Sequence, residues 1–195
     1  MPDLTPLYRF VDPKILKIPK LKLICNHTVL HYLPLVMQRQ TQTNWCWSAV
    51  GTSVGLFFQT GQWTQCDTAN GCLKLAGVNC CNAPTPAACN VYGYLDKALT
   101  YTKSFKSVSS GTATTQALAD QINMGRPVGV RVEWNGGGAH FMAITGYKYC
   151  AILSSVVTIV IQDPIFGETI MLYRDFAANY QSGGTWNGTY LTKPN

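Results

Sequence analysis

Cys46, His140 and Asp163 are the residues of this sequence whose types and order could form a nucleophilic centre. Cys46 lies at the start of Trp45–Gln59, a stretch that is apolar nearly all round and is predicted to be a buried helix with Asn44 as its N-cap. In the first turn of a helix, unpaired N–H groups and the positive end of the helix dipole stabilise a thiolate, the nucleophilic form of cysteine. A disulfide-bonded or core cysteine is the alternative for Cys46.

His140 and Asp163 lie on consecutive predicted strands. His140 follows the glycine run 136–138 and opens a strand, where it could act as the general base that takes the thiol proton and returns it to the leaving amine. Asp163 ends the next strand, ahead of Pro164, and could accept a hydrogen bond from the second imidazole nitrogen. Such a bond would fix the tautomer and the orientation of the ring. A plain Asp-Pro turn is the alternative for Asp163.

Glutamine side chains shortly before Cys46 could stabilise the oxyanion of an acyl-transfer reaction. Gln40 precedes Cys46 by six positions, so its amide N–H and the Cys46 main-chain N–H could bind the oxyanion together. Gln38 and Gln42 are nearby alternatives, and any of the three could be a solvated polar residue. Three aromatic residues could line the same cleft, although packing in the core is the stronger expectation for each: Trp47, Trp134 and Trp186.

The elements that must hold these residues change in type along the chain. Helices are predicted first and strands afterwards, with the change near Pro127, where alternating valines begin. The predicted helices are 45–59, 91–102 and 115–124, and the predicted strands lie at 128–132, 139–149, 156–161, 169–173 and 184–192. This order predicts an α+β fold with a helical half over about 44–125 and a β half over about 126–195. Residues 1–32 are predicted to be an extended arm ahead of a single domain over 33–195.

Together these motifs resemble those of the papain-like cysteine peptidases. The shared features are Gln-x5-Cys-Trp-Ser-Ala from Gln40, Gly-Gly-x-His-Phe ending at Phe141, and Asp-Pro after the following strand. The resemblance extends from about Leu35 to Thr192. The chain is most similar to the small bacterial branch of these peptidases, which includes double-glycine leader peptidases and papain-like effector proteases.

The resemblance implies a fold and a role for each residue. Cys46 would be the nucleophile, His140 the base, Asp163 the orienting group and Gln40 the oxyanion donor. The fold would be papain-like and two-lobed, with an N-terminal helical lobe packed on a C-terminal antiparallel half-barrel sheet and the active-site cleft between them. Two features depart from the pattern: many papain relatives orient the histidine with Asn, and the leader peptidases lack a cysteine-dense loop.

The composition narrows the classes of protein to which this chain can belong. Its 195 residues are 47% hydrophobic and 12% charged, which excludes a disordered tail and a coiled coil. No apolar run approaches the ~20 residues that span a bilayer. The net charge of +6 is mild, and the lysine cluster within 14–22 has no interleaved aromatic residues, so nucleic-acid binding is not expected.

Eight cysteines, five of them between Cys66 and Cys89, predict a disulfide-stapled loop in an oxidising compartment. We expect two bridges among Cys66, Cys80, Cys81 and Cys89. The sequence leaves three pairings open, although the neighbours Cys80 and Cys81 are expected to pair outward. If Cys46 is a thiol, seven cysteines remain, so at least one of them must be unpaired. With three histidines and no CxxC motif, no metal or other cofactor is expected.

The leading hypothesis is a thiol endopeptidase that forms an acyl-enzyme at Cys46 and acts on protein or peptide substrates. We expect an exported monomer, a bacterial effector or toxin, for which a cognate inhibitor or immunity protein would be a partner. The first 30 residues lack the layout of a secretory signal, so the export route stays open. The same triad could serve a deamidase, a transglutaminase or a peptidoglycan amidase. A non-catalytic binding module is the remaining alternative. The presence of Cys46, His140 and Asp163 together argues against it, because a pure binding protein has no use for this set of residues.

Overall fold

Helices and strands follow one another along the chain in an α+β arrangement. The computed structural model describes residues 28–150 and 155–195. The elements of these residues are, in chain order, β1 (Thr28–Tyr32), α1 (Cys46–Phe57), α2 (Gln65–Leu73), α3 (Leu95–Tyr101), β2 (Phe105–Ser110), α4 (Thr115–Asn123), β3 (Val128–Trp134), β4 (Ala139–Cys150), β5 (Ser155–Asp163), β6 (Gly167–Leu172), α5 (Tyr173–Asn179) and β7 (Gly184–Thr192). A short 3-10 helix, Ala87–Cys89, precedes α3. Most of the arm predicted over residues 1–32 lies outside the described residues.

The strands of the described residues form one antiparallel sheet in the order β2-β7-β3-β4-β5-β6. Strand β1 also belongs to this sheet, because it pairs with β4. Strand β3 pairs with residues 139–144 of β4, and β1 pairs with residues 146–150 of β4. Strand β4 is therefore central, and β5 pairs with it as well. The predicted α+β class is confirmed, and the predicted half-barrel takes the form of an open sheet with β2 and β6 at its edges.

Helix α1 is buried because it packs between the other N-terminal helices and the sheet. Ten of its twelve residues are buried. Gly51 allows a close approach to α3, since a Cβ built at this position would lie 2.5 Å from the Cβ of Ala98. The hydroxyl oxygens of Thr52 and Thr68 lie 2.8 Å apart and join α1 to α2. The polar residues of α1 therefore find partners inside the protein, which allows the whole helix to be buried.

Two apolar cores lie on the two faces of the sheet. Phe141 and Ala143 of β4 belong to the core beneath α1, α2 and α3, whereas Met142 and Ile144 belong to the core beneath α4 and α5. Alternate residues of β4 thus enter different cores, as expected for a strand that is covered on both faces. Helix α1, which begins at Cys46, therefore packs directly on the sheet whose strands β4 and β5 carry His140 and Asp163. Within the described residues, no helix has the length and apolar character needed to cross a membrane.

Candidate active site

Cys46 is the first residue of α1, and this helix begins without a side-chain cap. The N-cap is Trp45 and not the predicted Asn44, and the Trp45 side chain makes no capping bond to a described residue. Asn44 does not cap because its side-chain amide donates to the carbonyl oxygen of Asn90 at 2.8 Å. The first turn of α1 therefore keeps main-chain N–H groups free of a side-chain cap next to the Cys46 thiol, which is 7% exposed.

Residues 89 and 90, which we call the clamp, hold the chain immediately before Cys46. The Trp45 indole N–H donates to the carbonyl oxygen of Cys89 at 2.6 Å. The main-chain N–H of Asn44 donates to Asn90 Oδ1 at 3.0 Å. Because both residues before Cys46 are bound to the clamp, the position at which α1 begins is set by contacts that are distant in sequence.

The imidazole of His140 connects the Cys46 thiol with the Asp163 carboxylate. Its Nε2 lies 2.9 Å from Asp163 Oδ1, so Nδ1 is the ring nitrogen left for the hydrogen bond with the Cys46 side chain. His140 and Asp163 are 3% and 2% exposed. The structure thus brings together the three residues that the sequence singled out, from the start of α1, the start of β4 and the end of β5.

Burial and neighbouring charges oppose each other in setting the pKa of His140. Burial by itself lowers this pKa, but the hydrogen bonds and negative charges of Asp163 and Cys46 raise it from 6.5 to about 9. For Asp163, burial raises the pKa of the carboxyl group; the hydrogen bond and charge of His140, with two main-chain N–H groups, outweigh burial and lower it. A pKa of about 9 favours the protonated imidazole near neutral pH.

Both oxygens of the Asp163 carboxylate accept hydrogen bonds. Oδ1 accepts the main-chain N–H groups of Ile165 at 2.6 Å and Phe166 at 3.0 Å, and Oδ2 accepts the Tyr180 hydroxyl at 2.8 Å. Burial, followed by the charge of Asp163, raises the pKa of Tyr180, so this hydroxyl stays a donor. The sequence left a plain turn and an orienting carboxylate as alternatives for Asp163. The turn is present, and its N–H groups hold the carboxylate beside His140, whereas the orienting role of Asp163 stays a prediction.

Tyr180 has no sequence motif that would have identified it. It stands 17 residues after Asp163 and is one of ten tyrosines in the chain. Its only signal is its position just before the last predicted strand, which did not distinguish it from a core aromatic residue. The side chain is in fact both, since it is buried in the core beneath α5 and bonded to the carboxylate.

Trp134 covers the imidazole from the end of β3. Its ring stacks on that of His140, with ring centroids 6.2 Å apart and planes 23° apart. It also stacks on Tyr180, at a centroid distance of 6.3 Å. Trp47 and Trp186 are buried in the two cores, as expected. Trp134 also packs against the core beneath α4 and α5, as expected, but it is only partly buried and its ring lies against the imidazole.

The loop that leads into α1 brings Gln40 to the end of β5. Its main-chain N–H donates to the carbonyl oxygen of Pro164 at 2.9 Å. Its side-chain Nε2 donates to the carbonyl oxygens of Gln42 at 2.9 Å and Thr43 at 2.8 Å. Oε1 is buried and has no hydrogen-bond partner among the described residues. Gln40 as the oxyanion donor stays a prediction, because one N–H must turn from these carbonyls toward an oxyanion.

The side chains of the two alternative glutamines are engaged elsewhere. Gln38 Oε1 accepts a hydrogen bond from Gln65 Nε2 at 3.1 Å, and Gln42 Nε2 donates to Thr85 Oγ1 at 3.0 Å. The Gln40 side chain instead stays within the turn that leads into α1. Of the three glutamines, Gln40 is the one whose main chain is bound to Pro164, the residue after Asp163, and this position favours it as the candidate.

A cysteine, a histidine and an aspartate in this order and geometry can be compared with known protein families. The Peptidase_C39 like family matches the chain over residues 32–190. This chain belongs to that family. The predicted resemblance to papain-like cysteine peptidases is thereby confirmed, and the protein is a cysteine peptidase by family. One similar solved structure is a double glycine motif protease from an AMS/PCAT transporter in complex with the leader peptide; it has a TM-score of 0.46 and 16% identity, with 85% of this chain and 94% of that chain covered. No curated protein matches the chain.

Two disulfides staple the cysteine-rich loop of this Peptidase_C39-like chain. They join Cys66 to Cys81, with an S–S distance of 2.05 Å, and Cys80 to Cys89, with an S–S distance of 2.09 Å. The prediction of two bridges among these four cysteines, with the neighbours paired outward, is confirmed. Besides Cys46, the free thiol of the described residues is Cys72, as the odd count requires. Burial, followed by the charge of Asp96, raises the pKa of Cys72 to about 11.

One group of potential metal ligands comes together in the described residues. Ligand atoms of Cys66, Asp67 and Cys81 lie within 4.8 Å of one another. Both sulfur atoms belong to one disulfide, so they are not thiolate ligands. The sulfur atoms of this group are therefore explained by the bridge and require no metal.

Proposed function

We propose that this Peptidase_C39-like chain is a thiol endopeptidase that cleaves peptide bonds through an acyl-enzyme at Cys46. The observation that carries the proposal is the buried hydrogen-bonded connection from the Cys46 thiol through His140 to Asp163. Such a connection offers a nucleophile, a base and an orienting carboxylate in the order that acyl transfer needs. The pKa of about 9 for His140 also favours this role, because an imidazolium can protonate the leaving amine.

The reaction would proceed in two halves. In the first, the Cys46 thiol gives its proton to His140, and the thiolate sulfur attacks the carbonyl carbon. The charge that moves to the carbonyl oxygen is stabilised by the Cys46 main-chain N–H and the Gln40 amide. The His140 imidazolium gives its proton to the leaving nitrogen, so the amine departs and a thioester remains. In the second half, water gives a proton to the neutral imidazole and attacks the thioester. The acid product leaves, and the thiolate and imidazolium are restored.

We further propose that the peptidase is an exported bacterial effector or toxin that acts as a monomer on protein or peptide substrates. Two disulfides in the loop support an oxidising compartment, where such bonds persist. The low charged fraction of 12% agrees with a protein that acts outside the cell. If the protein is a toxin, its producer needs a cognate inhibitor or immunity protein as a partner.

Selective alkylation tests whether Cys46 is the nucleophile. At pH 7.5 iodoacetamide should label Cys46 well before Cys72, because a pKa of about 11 leaves fewer than about 1 in 1,000 Cys72 thiols ionised. Mass spectrometry of tryptic peptides locates the label. Labelling of Cys72 ahead of Cys46 would remove the enzyme hypothesis.

Incubation with a denatured proteome tests the reaction. The wild type and the matched control Cys72→Ala should create new peptide N-termini, whereas Cys46→Ala should create none. His140→Ala should lose most turnover while its circular dichroism spectrum stays native. Labelling of Cys46 without new termini would replace the endopeptidase by a deamidase, transglutaminase or amidase, and substantial turnover by His140→Ala would contradict its role as the base.

A further inference from the structure

The loop that carries Gln40 needs an external support, because it has no regular secondary structure of its own. Residues 33–45 lie outside every helix and strand. The main-chain N–H of Gln40 is bound to Pro164 on the β5 side. On the helical side the loop meets the N-terminus of α2, and there a single side chain supplies the contacts.

Gln65, the first residue of α2, is a buried amide whose hydrogen-bonding capacity is fully used by this loop. Its Oε1 accepts the main-chain N–H of Thr41 at 2.9 Å and the Thr41 hydroxyl at 3.2 Å. Its Nε2 donates to Gln38 Oε1 at 3.1 Å and to the carbonyl oxygen of Arg39 at 2.8 Å. The residue is 5% exposed. A buried amide with both lone pairs and both hydrogens engaged fixes its partners in position and in orientation.

The main chain of Gln65 is bound to the helix of the nucleophile. Its carbonyl oxygen accepts the hydroxyl of Ser48 at 2.7 Å, and Ser48 stands two residues after Cys46 in the first turn of α1. Gln65 therefore spans the distance between the loop of the oxyanion candidate and the start of α1. Its side chain holds the residues on both sides of Gln40, and its main chain holds the turn that begins with Cys46.

We infer that Gln65 is a positioning residue that sets the place of the Gln40 amide relative to the Cys46 sulfur. This inference rests on the proposed acyl-transfer function. Gln65 does not touch the reacting atoms; it acts through the loop. An oxyanion donor that is misplaced by about 1 Å loses most of its effect on the rate, whereas substrate binding elsewhere in the cleft is unaffected. A loss of Gln65 should therefore lower kcat and leave KM nearly unchanged.

Gln65→Glu is the sharpest variant, because it keeps the shape of the side chain and removes its two N–H donors. A carboxylate still accepts from Thr41 but repels the oxygens of Gln38 and Arg39, so the loop should move. We expect kcat on a fluorogenic peptide, built on a cleavage site from the proteome digest, to fall about 10- to 100-fold. KM should change less than about threefold. Gln121→Glu is the matched control, since Gln121 is a buried glutamine of α4, on the other face of the sheet.

Alkylation of Cys46 separates a positioning role from a structural one. Iodoacetamide reacts by displacement at a saturated carbon and forms no oxyanion, so its rate depends on the thiolate but not on Gln40. In Gln65→Glu the alkylation rate should stay within about threefold of the wild type while kcat falls. An unchanged kcat, or an alkylation rate that falls in step with kcat, would overturn the inference.

Two further variants keep the inference testable if Gln65→Glu fails to fold. Gln38→Met removes only one acceptor of the Gln65 amide and should lower kcat by a few fold with unchanged alkylation; a wild-type kcat in this variant would count against the inference. In a Gln40→Ala background, Gln65→Glu or Gln38→Met should have little additional effect on kcat, because the two residues act in series. Additive losses would contradict the inference.

Failure of the inference and failure of the proposed function give different results. If the wild type is alkylated at Cys46 and cleaves peptides, and the variants have the same kcat as the wild type, only the role of Gln65 is refuted. If the wild type shows no turnover, the proposed function itself is refuted.

Discussion

The charge of Asp163 can be removed with almost no change of shape by the substitution Asp163→Asn. The amide oxygen can still accept the N–H groups of Ile165 and Phe166, and the Tyr180 hydroxyl can accept from the new amide nitrogen instead of donating. The variant therefore isolates the electrostatic contribution of the carboxylate to the state of His140.

The expected effect follows from the balance of contributions at His140. Burial lowers the pKa of the imidazole, and the carboxylate and the sulfur together hold it at about 9, which is about 2.5 above the ordinary 6.5. At 1.36 kcal/mol for each pKa unit, the site favours the imidazolium by about 3 kcal/mol after the cost of burial has been subtracted. Without the carboxylate charge, only Cys46 still opposes the effect of burial, so we expect the pKa of His140 to fall well below 9.

This change also alters how stability depends on pH. A group whose pKa is raised in the folded protein contributes its full stabilisation below its unfolded pKa, and the contribution is lost as the pH rises through the folded pKa. The wild type should therefore lose up to about 3 kcal/mol of this contribution between pH 6.5 and pH 9. In Asp163→Asn the decline over this window should be smaller and should end at a lower pH.

Proton NMR of the imidazole Cε1–H signals measures the pKa directly. The chain has only three histidines, His27, His31 and His140, and the spectrum of His140→Ala assigns the signal of interest. The wild type should titrate near 9 and Asp163→Asn at a clearly lower pH, while the exposed control Asp175→Asn should behave like the wild type. A His140 signal that still titrates near 9 in Asp163→Asn would refute the argument, as would a wild-type pKa near 6.5.

Three further outcomes are expected. Tyr180→Phe leaves one buried carboxylate oxygen without its donor, so thermal denaturation should show a loss of about 1–3 kcal/mol. Gly51→Ala places a Cβ 2.5 Å from that of Ala98 and should cost about 1–3 kcal/mol by forcing α1 and α3 apart, whereas Gly136→Ala, with no atom within 4 Å of the new Cβ, should melt within about a degree of the wild type. Cys72 should begin to react with iodoacetamide at an appreciable rate only as the pH approaches 11, and mass spectrometry at several pH values checks this order of reactivity.

Regular elements with a clear apolar pattern could be predicted from the sequence. The helix predicted over 45–59 corresponds to α1. It was recognisable because a helix buried on all sides is apolar nearly all round. Helix α2 was missed, since Gln65–Leu73 is rich in Cys, Asn and Asp. This helix depends on contacts that a local pattern does not show: the Thr64 hydroxyl accepts the N–H of Asp67 at 3.1 Å, and Cys66 is bridged to Cys81. Strand β2, an exposed edge strand, also lacks the apolar alternation that would have revealed it.

The sequence predicted the residues of the candidate site whose chemical types occur in a recognisable order. It did not predict the residues that hold them in place. Cys46, His140 and Asp163 were singled out because their residue types suit a nucleophile, a base and an orienting group and occur in a recognisable sequence context. Tyr180 and Gln65 were missed because their roles follow from burial and from partners distant in sequence. The same applies to the N-cap of α1, which a local rule assigned to Asn44 although that side chain is bound to the clamp.

The clamp contains a disulfide-bonded cysteine, Cys89, so this peptidase needs both a reduced and an oxidised cysteine near the start of α1. The proposed reaction requires Cys46 as a free thiol, whereas Cys89 of the clamp is oxidised in its bond to Cys80. Reductants that protect a catalytic thiol would, at higher concentration, open the loop that holds Trp45 and thereby release the start of α1. Peptidase activity should therefore pass through a maximum as the reductant concentration rises. Activity would be low in a strongly reducing solution, where the Cys80–Cys89 bond is reduced, and highest where thiols and disulfides coexist.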